Sequence, residues 1–389
     1  MLYRYGTDSN GKFVKKAVIY TEDEHKIKLE NIDKDALQII HRLKEAGFTA
    51  YIVGGAVRDL IVGIKTPKDF DIVTDATPSK IKKIFRNSRI IGKRFRLVHV
   101  VFGPKIFEVS TFRSNAEGSV GNEFGTIEQD VLRRDFSINA LYYDPLTQQV
   151  IDYVNGMKDI KKHIIRPVIP MDSIFVEDPV RMLRAIKYSA TTNAKMSYAL
   201  KKKIKHSAVL LASISPSRLT EELLKIINSG FSHQIFQGAV ETGLFIYLQP
   251  SAASIMASTK EYGINYFKSL EALDALVKTE NDCRLGKKLY YLIYDFILSL
   301  TDWKKEIEEK TSVNELYLKT WTECRNFILP MNPQRRELEF AIKNVLKDIG
   351  VQTKIPQSKK SPQNHKNGEK KARPHKKRAK MLQTNEKSS

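Results

Sequence analysis

The spacing of hydrophobic residues along the chain changes near residue 172. Before that point, short apolar runs of strand length alternate with patterns in which apolar residues recur every three to four positions, as in a helix. The runs that predict strands are residues 49–55, 69–75, 96–102 and 105–112. After residue 172, amphipathic helical patterns follow one another as far as about residue 349. The pattern therefore predicts an α+β fold, in which a mixed half of strands and helices precedes an all-α half.

The two ends of the chain lack this periodicity. The first 25 residues are polar and predict a flexible arm. The last 39 residues hold 12 Lys and Arg against 2 Asp and Glu, a net charge of +10, and predict a disordered basic tail. The predicted divisions are an arm (1–25), a mixed head (26–171), two helical regions (172–232 and 233–350) and the tail (351–389).

Charge and cysteine content narrow the class of protein. The 65 Lys and Arg exceed the 44 Asp and Glu by 21, which favours a polyanionic partner, nucleic acid before an anionic membrane surface. A solvated basic surface with no such role is the alternative. The two cysteines, Cys283 and Cys324, are too few for a disulfide framework and predict buried thiols in a reducing compartment. Without a signal-peptide pattern or a span of about 20 apolar residues, we expect a cytoplasmic protein that does not span a membrane.

Three carboxylates interrupt predicted strands. Asp69 and Asp71 are two residues apart, so they point to the same face of a strand, about 7 Å apart. Such a pair repels unless a cation lies between the two groups, and Mg²⁺ prefers oxygen ligands. Glu108, on a hairpin strand, is a candidate for a third carboxylate beside them. The set suits a two-metal site for phosphoryl chemistry, and the alternative is a solvent-facing edge strand.

A glycine pair precedes these acids. Gly54 and Gly55 join a predicted strand to a short helix, a geometry that lets backbone N–H groups approach a phosphate, and Arg58 lies in the first turn. A simple turn is the alternative for the glycines alone. Followed by the Asp-x-Asp strand, they predict a triphosphate cradle beside a metal site.

Six segments in order carry a resemblance: GGAVRD, DFDIVTDATP, EVSTFR, RRDFSINALYYD, NGMKDI and EDPVRMLRAIKYSA. Across roughly residues 25–230 the chain resembles the class II nucleotidyltransferases, a family of tRNA CCA-adding enzymes and bacterial poly(A) polymerases. The resemblance implies a nucleotidyltransferase head with a small mixed sheet, followed by helical neck, body and tail regions. It also implies transfer of a nucleotidyl group from a nucleoside triphosphate to an RNA 3′-hydroxyl, with Mg²⁺, or alternatively Mn²⁺, as the metal cofactor.

The resemblance implies roles for individual residues. Asp69 and Asp71 would be the metal ligands, Glu108 would orient the 3′-hydroxyl, and Asp135 would be an acid near the active centre. The nucleotide-binding residues would be Gly54, Gly55, Arg58, Arg133, Arg134, Asn139, Asp178, Arg181 and Arg184. Of these, Asp178 and Arg181 would read the edge of the incoming base; an ordinary ion pair within one helix is the alternative for them.

Other segments bear on which product the protein would add to RNA, a homopolymer tail or the sequence CCA. Lys93, Arg94, Arg96 and His99 form a basic segment that is similar to the one in the poly(A) polymerase branch, and residues 24–48 and 332–340 also resemble that branch. We therefore expect ATP as substrate and addition of AMP to RNA 3′ ends, with CCA addition and an inactive RNA-binding relative as alternatives. The tail residues Lys376, Lys377 and Arg378 are expected to contact RNA phosphates without sequence preference. RNA-decay or RNA-chaperone proteins are expected as further partners.

Overall fold

A computed structural model describes residues 2–7, 11–63, 66–92, 97–114, 124–280, 283–300, 302–309 and 312–351. A nine-stranded mixed sheet organises the head, and its strands in spatial order are β1, β2, β9, β8, β3, β4, β7, β6 and β5. Neighbouring strands are antiparallel, except that β4 and β7 are parallel. The strands are β1 (Leu2–Thr7), β2 (Phe13–Tyr20), β3 (Ala50–Val53), β4 (Asp71–Thr74), β5 (Ser88–Ile91), β6 (Leu97–Phe102), β7 (Lys105–Thr111), β8 (Leu141–Asp144) and β9 (Gln149–Asp152).

Helices cover both faces of this sheet, as the alternation of its buried side chains requires. On β4, Ile72 belongs to the larger core, which includes side chains of α2, α3 and α4, whereas Val73 belongs to a second core with side chains of α5. Asp71 alternates with Ile72, so it lies on the face of the second core. The head helices are α1 (Glu22–His25), α2 (Lys34–Glu45), α3 (Gly55–Val62), α4 (Pro78–Ile84), α5 (Ile127–Leu132) and α6 (Gly156–Lys161).

The N-terminal segment differs from the predicted flexible arm. Residues 2–7 and 13–20 form the β1–β2 hairpin, and Val18 of β2 pairs with Asp152 of β9, so the hairpin extends the sheet. The hydrophobic pattern did not show this because only three side chains of β2, Ala17, Val18 and Tyr20, are buried. A β-bulge between Arg4 and Tyr5 also shifts the register and breaks the alternation.

The remainder is helical apart from a two-residue parallel ladder between β10 (Ile164–Ile165) and β11 (Lys195–Met196), which confirms the α+β prediction. The described residues up to Val351 belong to one compact unit, and the predicted boundaries at 171 and 232 stay predictions. The helices are α7 (Ile174–Glu177), α8 (Val180–Thr192), α9 (Tyr198–Ser207), α10 (Pro216–Ile227), α11 (Ser232–Glu241), α12 (Phe245–Leu248), α13 (Pro250–Ser258), α14 (Lys260–Thr279), α15 (Leu285–Leu300), α16 (Trp303–Glu308), α17 (Val313–Phe327) and α18 (Arg335–Asp348).

Three further predictions can be compared with the structure. Cys283 and Cys324 are free and buried, as expected. No helix within the described residues combines the length and hydrophobicity needed to cross a bilayer. The predicted basic tail lies outside the described residues, except for Val351.

Candidate active site

The glycine pair forms a turn that brings the main chain close to the carboxylates of the sheet. Gly54 has a φ of +72°, which L-amino acids with side chains rarely adopt, and Gly55 begins α3. A Cβ atom on Gly54 would lie 3.9 Å from Oδ2 of Asp71 and 3.8 Å from Nη1 of Arg134. The backbone at this turn therefore lies between an acid and a cation, where a side chain would fill the space.

The acids alternate with apolar residues as the sequence predicts, but the strand is shorter: β4 begins at Asp71, and Asp69 precedes it. Phe70 and Ile72 are buried, and the Asp69 and Asp71 side chains are exposed to a cavity. In the parallel β4–β7 pair, Ile72 lies opposite Val109. Asp71 and Glu108 are the residues immediately before these two, so they lie at the same level along the neighbouring strands. Nε2 of His99 on β6 lies 3.7 Å from Oε1 of Glu108.

The pKa of Asp71 reports the electrostatics of this cluster. Surrounding protein raises that pKa, the negative charges of Glu108 and Asp69 raise it further, and the Arg134 charge offsets them in part, which leaves it at about 6. Arg134 compensates the negative charge around Asp71 only in part, so the donor set fits a bound divalent ion. Within the described residues, no group of three or more His, Cys, Asp or Glu side chains is arranged to hold a metal. Asp69 and Asp71 would thus share an ion with substrate phosphates and water, as is usual for Mg²⁺.

Asp130 organises the Arg133-Arg134 pair. Its two oxygens accept hydrogen bonds from Arg133 Nε at 2.8 Å and Arg134 Nη2 at 2.9 Å, and the Tyr142 hydroxyl donates to Oδ2 at 2.6 Å. Burial alone would raise the pKa of Asp130, but the charges of Arg134 and Arg133 outweigh it and lower the pKa to about 2. The sequence interpretation missed Asp130, although its spacing of three and four residues from the arginines on α5 was the available signal.

Arg58 and Asn139 form a second fixed pair. The Arg58 guanidinium is buried and donates from Nε to Asp59 Oδ1 at 2.8 Å and from Nη1 to Asn139 Oδ1 at 2.6 Å. Arg58 was predicted to hold the triphosphate. It lies in the cavity wall, and its side-chain donors are engaged within the protein, so the structure favours a supporting position for it.

Asp135 connects the head to α8. Its Oδ1 accepts hydrogen bonds from the Phe136 N–H at 2.7 Å and from Asn139 Nδ2 at 3.4 Å. Its Oδ2 lies 3.0 Å from Nε of Arg184, which also donates to the Tyr188 hydroxyl at 3.1 Å. The predicted acid is therefore tied to a predicted nucleotide-binding arginine.

The Asp178–Arg181 pairing differs from the expectation. Asp178 Oδ2 accepts a hydrogen bond from Arg218 Nη2 of α10 at 2.6 Å, and Arg181 pairs with Glu177 at 2.8 Å. Asp178 Oδ1 accepts from the Val180 N–H at 3.1 Å, which fixes the carboxylate at the start of α8. The two predicted base-reading groups both line the cavity, but each is held by a different partner.

A cavity of about 640 Å³ brings these groups together. Helix α10 supplies side chains that the sequence interpretation missed: Glu222 accepts from Lys225 Nζ at 2.7 Å and lies 3.4 Å from Lys187 Nζ of α8. The spacing of Arg218, Glu222 and Lys225 along one face of α10 was the available signal. The lining residues are Gly54, Gly55, Arg58, Asp69, Asp71, Arg133, Arg134, Asp135, Asn139, Asp178, Arg181, Arg184, Lys187, Tyr188, Glu222 and Lys225.

Most of the predicted RNA-binding residues lie outside the part of the chain that the structure describes. Among them, His99 is placed, on β6 beside Glu108. Lys93, Arg94, Arg96, Lys376, Lys377 and Arg378 lie outside the described residues.

Two family models match separate parts of the chain. Residues 50–166 match the poly A polymerase head domain, and this range contains the glycine turn and the acids of the sheet. Residues 195–256 match a model described as the probable RNA and SrmB-binding site of polymerase A, and this range contains α10.

Comparison with individual proteins also relates the chain to poly(A) polymerases and CCA-adding enzymes. The chain is 40% identical over 287 residues to poly(A) polymerase I of Salmonella typhi, covering 70% of this chain and 60% of that protein. It is 35% identical over 223 residues to the CCA-adding enzyme of Lactobacillus helveticus, covering 56% of this chain and 55% of that protein. The crystal structure of the Bacillus stearothermophilus CCA-adding enzyme in complex with CTP superposes with a TM-score of 0.51 at 25% identity, covering 81% of this chain and 92% of that one. The chain thus spans less than two thirds of the length of these curated relatives.

Proposed function

Because the chain belongs to the nucleotidyltransferase family that contains the poly(A) polymerases and the CCA-adding enzymes, we propose that it transfers AMP from ATP to RNA 3′ ends and releases pyrophosphate. The observation that carries the proposal is the shared cavity, in which the acids of the sheet face the cations of α8 and α10 around a glycine turn. Similarity to poly(A) polymerase I supports ATP as the substrate.

The glycine turn and the arginines would bind the triphosphate. Gly54 and Gly55 line the cavity and carry no side chains of their own, so a phosphate could approach their backbone closely. Arg133 and Arg134 are oriented by Asp130, so their cationic groups are fixed before the nucleotide arrives. Because such cations are already ordered, little free energy is spent on ordering them when charge develops on the phosphates.

Asp69 and Asp71 would hold the metal cofactor, Mg²⁺ or Mn²⁺, together with phosphate oxygens of ATP. When bound, such an ion polarises phosphoryl oxygens and favours an ionised attacking hydroxyl. Glu108, level with Asp71, would accept a hydrogen bond from the RNA 3′-hydroxyl and aim its oxygen at the α-phosphorus. The bond from the 3′-oxygen to phosphorus then forms as the bond to pyrophosphate breaks.

The helical wall would select the base. Asp178 and Arg181 line the cavity, and their partners Arg218 and Glu177 limit how far either side chain can swing. Groups held in one arrangement discriminate between bases by hydrogen-bond pattern and by shape, because a mismatched base leaves them unpaired.

CCA addition is the second candidate. The observation that favours it is the likeness of this fold to the CTP-bound CCA-adding enzyme, which extends over 92% of that chain. The test offers the purified protein ATP alone, then CTP with ATP, on a tRNA that lacks its CCA end and on an unstructured RNA. Long tails from ATP alone on both RNAs would support the proposal; addition of C, C and A to the tRNA alone would overturn it.

RNA would be held by the helical half and by the basic tail, in a cytoplasmic setting. Deleting residues 352–389 should flatten the dependence of RNA affinity on salt, because each phosphate contact to single-stranded RNA contributes a slope of about −0.7. The measurement is a dissociation constant at several salt concentrations for the full and shortened chains. An unchanged slope would remove the tail, with Lys376, Lys377 and Arg378, from the RNA-binding surface. RNA-decay and RNA-chaperone proteins remain predicted partners.

A further inference from the structure

The β1–β2 hairpin exposes three aromatic rings at the edge of the sheet. Tyr3, Tyr5 and Phe13 are 44%, 52% and 70% exposed. The Tyr5 and Phe13 rings are nearly parallel, with centroids 5.2 Å apart, and the Tyr3 ring packs edge-on against Tyr5 at 6.3 Å. The rings form a continuous aromatic surface, which we call the hairpin platform.

The platform has a fixed position on the sheet. Tyr3 lies opposite Val18 and Tyr5 opposite Lys15 across the hairpin, so the rings and Lys15 share one face. Arg4 points to the other face, where its Nη1 donates to the Tyr153 hydroxyl at 2.9 Å and fastens the edge strand to the head. The rings are therefore held by a strand that pairs with β2 and is fastened to the head through Arg4.

Charge on the hairpin identifies the chemistry of its partner. Residues 2–20 contain Arg4, Lys12, Lys15 and Lys16 against one carboxylate, Asp8. Nζ of Lys15 lies 3.6 Å above the Tyr3 ring, so an ammonium group is placed beside the aromatic surface. Flat rings next to cations suit a chain of bases joined by phosphates. A second copy of this hairpin and the basic tail carry the same sign of charge and would be repelled.

We propose that the hairpin platform binds single-stranded RNA by stacking bases on Tyr5 and Phe13, with Lys15 facing the phosphates. The proposal rests on the proposed function, since it takes RNA as the substrate. Five strand spacings separate β1 from β4, about 24 Å at roughly 4.8 Å each. The rings also occupy the face of the sheet opposite Asp71. The platform therefore contacts nucleotides upstream of the 3′ end and leaves the reacting terminus to the cavity.

The test compares two primer lengths. For Tyr5→Ser/Phe13→Ser, we expect affinity for an oligoadenylate of about 30 nucleotides to fall about tenfold, and affinity for one of about 6 nucleotides to stay unchanged. The KM for ATP should not change. The conservative variant Tyr5→Phe/Phe13→Tyr should bind the long RNA normally, since stacking is kept. Leu146→Ser, which removes an exposed apolar side chain from the turn between β8 and β9 in the head, is the matched control.

Each of the following outcomes would overturn the proposal that the hairpin platform binds RNA. Undiminished binding of the long RNA, or equal weakening for both lengths, removes stacking at the hairpin. A change of oligomeric state in the double serine variant, measured by light scattering, assigns the rings to a second copy. Binding to phosphatidylglycerol vesicles that the same variant abolishes, with RNA affinity unchanged, assigns them to a membrane surface. AMP incorporation by the wild-type chain on the short primer tests the proposed function separately.

Discussion

The two walls of the cavity handle charge in opposite ways. On the sheet wall, Asp69, Asp71 and Glu108 lie close enough that the pKa of Asp71 rises to about 6, through burial first and then through its neighbours' charges. On the helical wall each acid has a cationic partner in the protein; the pairs are Glu177 with Arg181, Asp178 with Arg218, and Glu222 with Lys187 and Lys225.

The difference teaches what each wall requires. The helical wall is compensated within the protein, so its ion pairs fix its shape and its function should depend on geometry. On the sheet wall, repulsion between the carboxylates remains until a cation binds between them. The function of this wall should therefore depend on binding that cation. Substitutions on the two walls are therefore expected to fail differently.

The largest effect is expected at Asp71. Asp71→Asn removes the charge that would hold the metal, and metal ions contribute several kcal/mol to phosphoryl transfer, so AMP incorporation should fall at least about a hundredfold. RNA affinity should be retained, because the surfaces proposed to bind RNA, the helical half and the hairpin platform, do not include Asp71. Initial rates of AMP incorporation and a binding titration measure the two quantities.

The matched control is Asp75→Asn. Asp75 ends the same strand segment but accepts a hydrogen bond from the Thr49 N–H at 2.8 Å and does not line the cavity. It should keep normal incorporation. Activity surviving in the Asp71 variant would mean that the sheet wall does not bind a required cation.

An intermediate effect is expected at Arg218 on the helical wall. Arg218→Ala leaves Asp178 without its partner, so the carboxylate is freer to accept other bases. The ratio of kcat/KM for ATP to that for CTP should drop about tenfold, the equivalent of about one hydrogen bond. Maximal velocity with ATP should change less.

A control for Arg218 comes from another helix. Arg335→Ala breaks a comparable surface pair with Glu339 on α18 and should leave the ratio as it was. If Arg218→Ala slows both nucleotides equally, the helical wall supports the catalytic geometry and does not select the base.

The smallest effect concerns stability. The folded pKa of Asp71 lies above its ordinary value of 3.8, so the unfolded chain loses this proton first as pH rises from about 4 to about 6. The free energy of unfolding should fall across that window and stay lower above it. Asp71→Asn lacks this penalty, so its Tm should exceed that of the wild type at pH 8 and match it below pH 4.

Magnesium separates this prediction from a general change in packing. A bound cation stabilises the folded state by mass action, so Mg²⁺ should raise the Tm of the wild-type chain and leave that of Asp71→Asn unchanged. Thermal unfolding of both chains, with and without Mg²⁺ at pH 8, gives the comparison. An equal response of the two chains would contradict an ion held by Asp71.

Local patterns predicted the sheet wall well. Asp69 and Asp71 are exposed and alternate with the buried Phe70 and Ile72, as a few neighbouring residues predict, although β4 itself begins at Asp71. The Gly54-Gly55 turn is equally local. Both could be predicted because period and backbone freedom are set within a few residues.

Partners chosen across the fold could not be predicted in this way. Asp178 and Arg218 are 40 residues apart, and Lys187 and Glu222 are 35 apart, so their pairing depends on how α8 packs against α10. The N-terminal hairpin was missed for a related reason: β2 has few buried side chains, and its pairing with β9 supplies the order that its own pattern does not indicate.

The parallel β4–β7 pair also limits how this chain can vary. The 36 residues between Asp71 and Glu108 can change in length at turns and loops without moving either acid, because the strand register alone sets their level. One residue inserted within β7 ahead of Glu108 would instead turn that carboxylate to the opposite face of the sheet. Insertions in the connecting loops are thus compatible with an intact centre, and a single insertion inside β7 is a simple way to dismantle it.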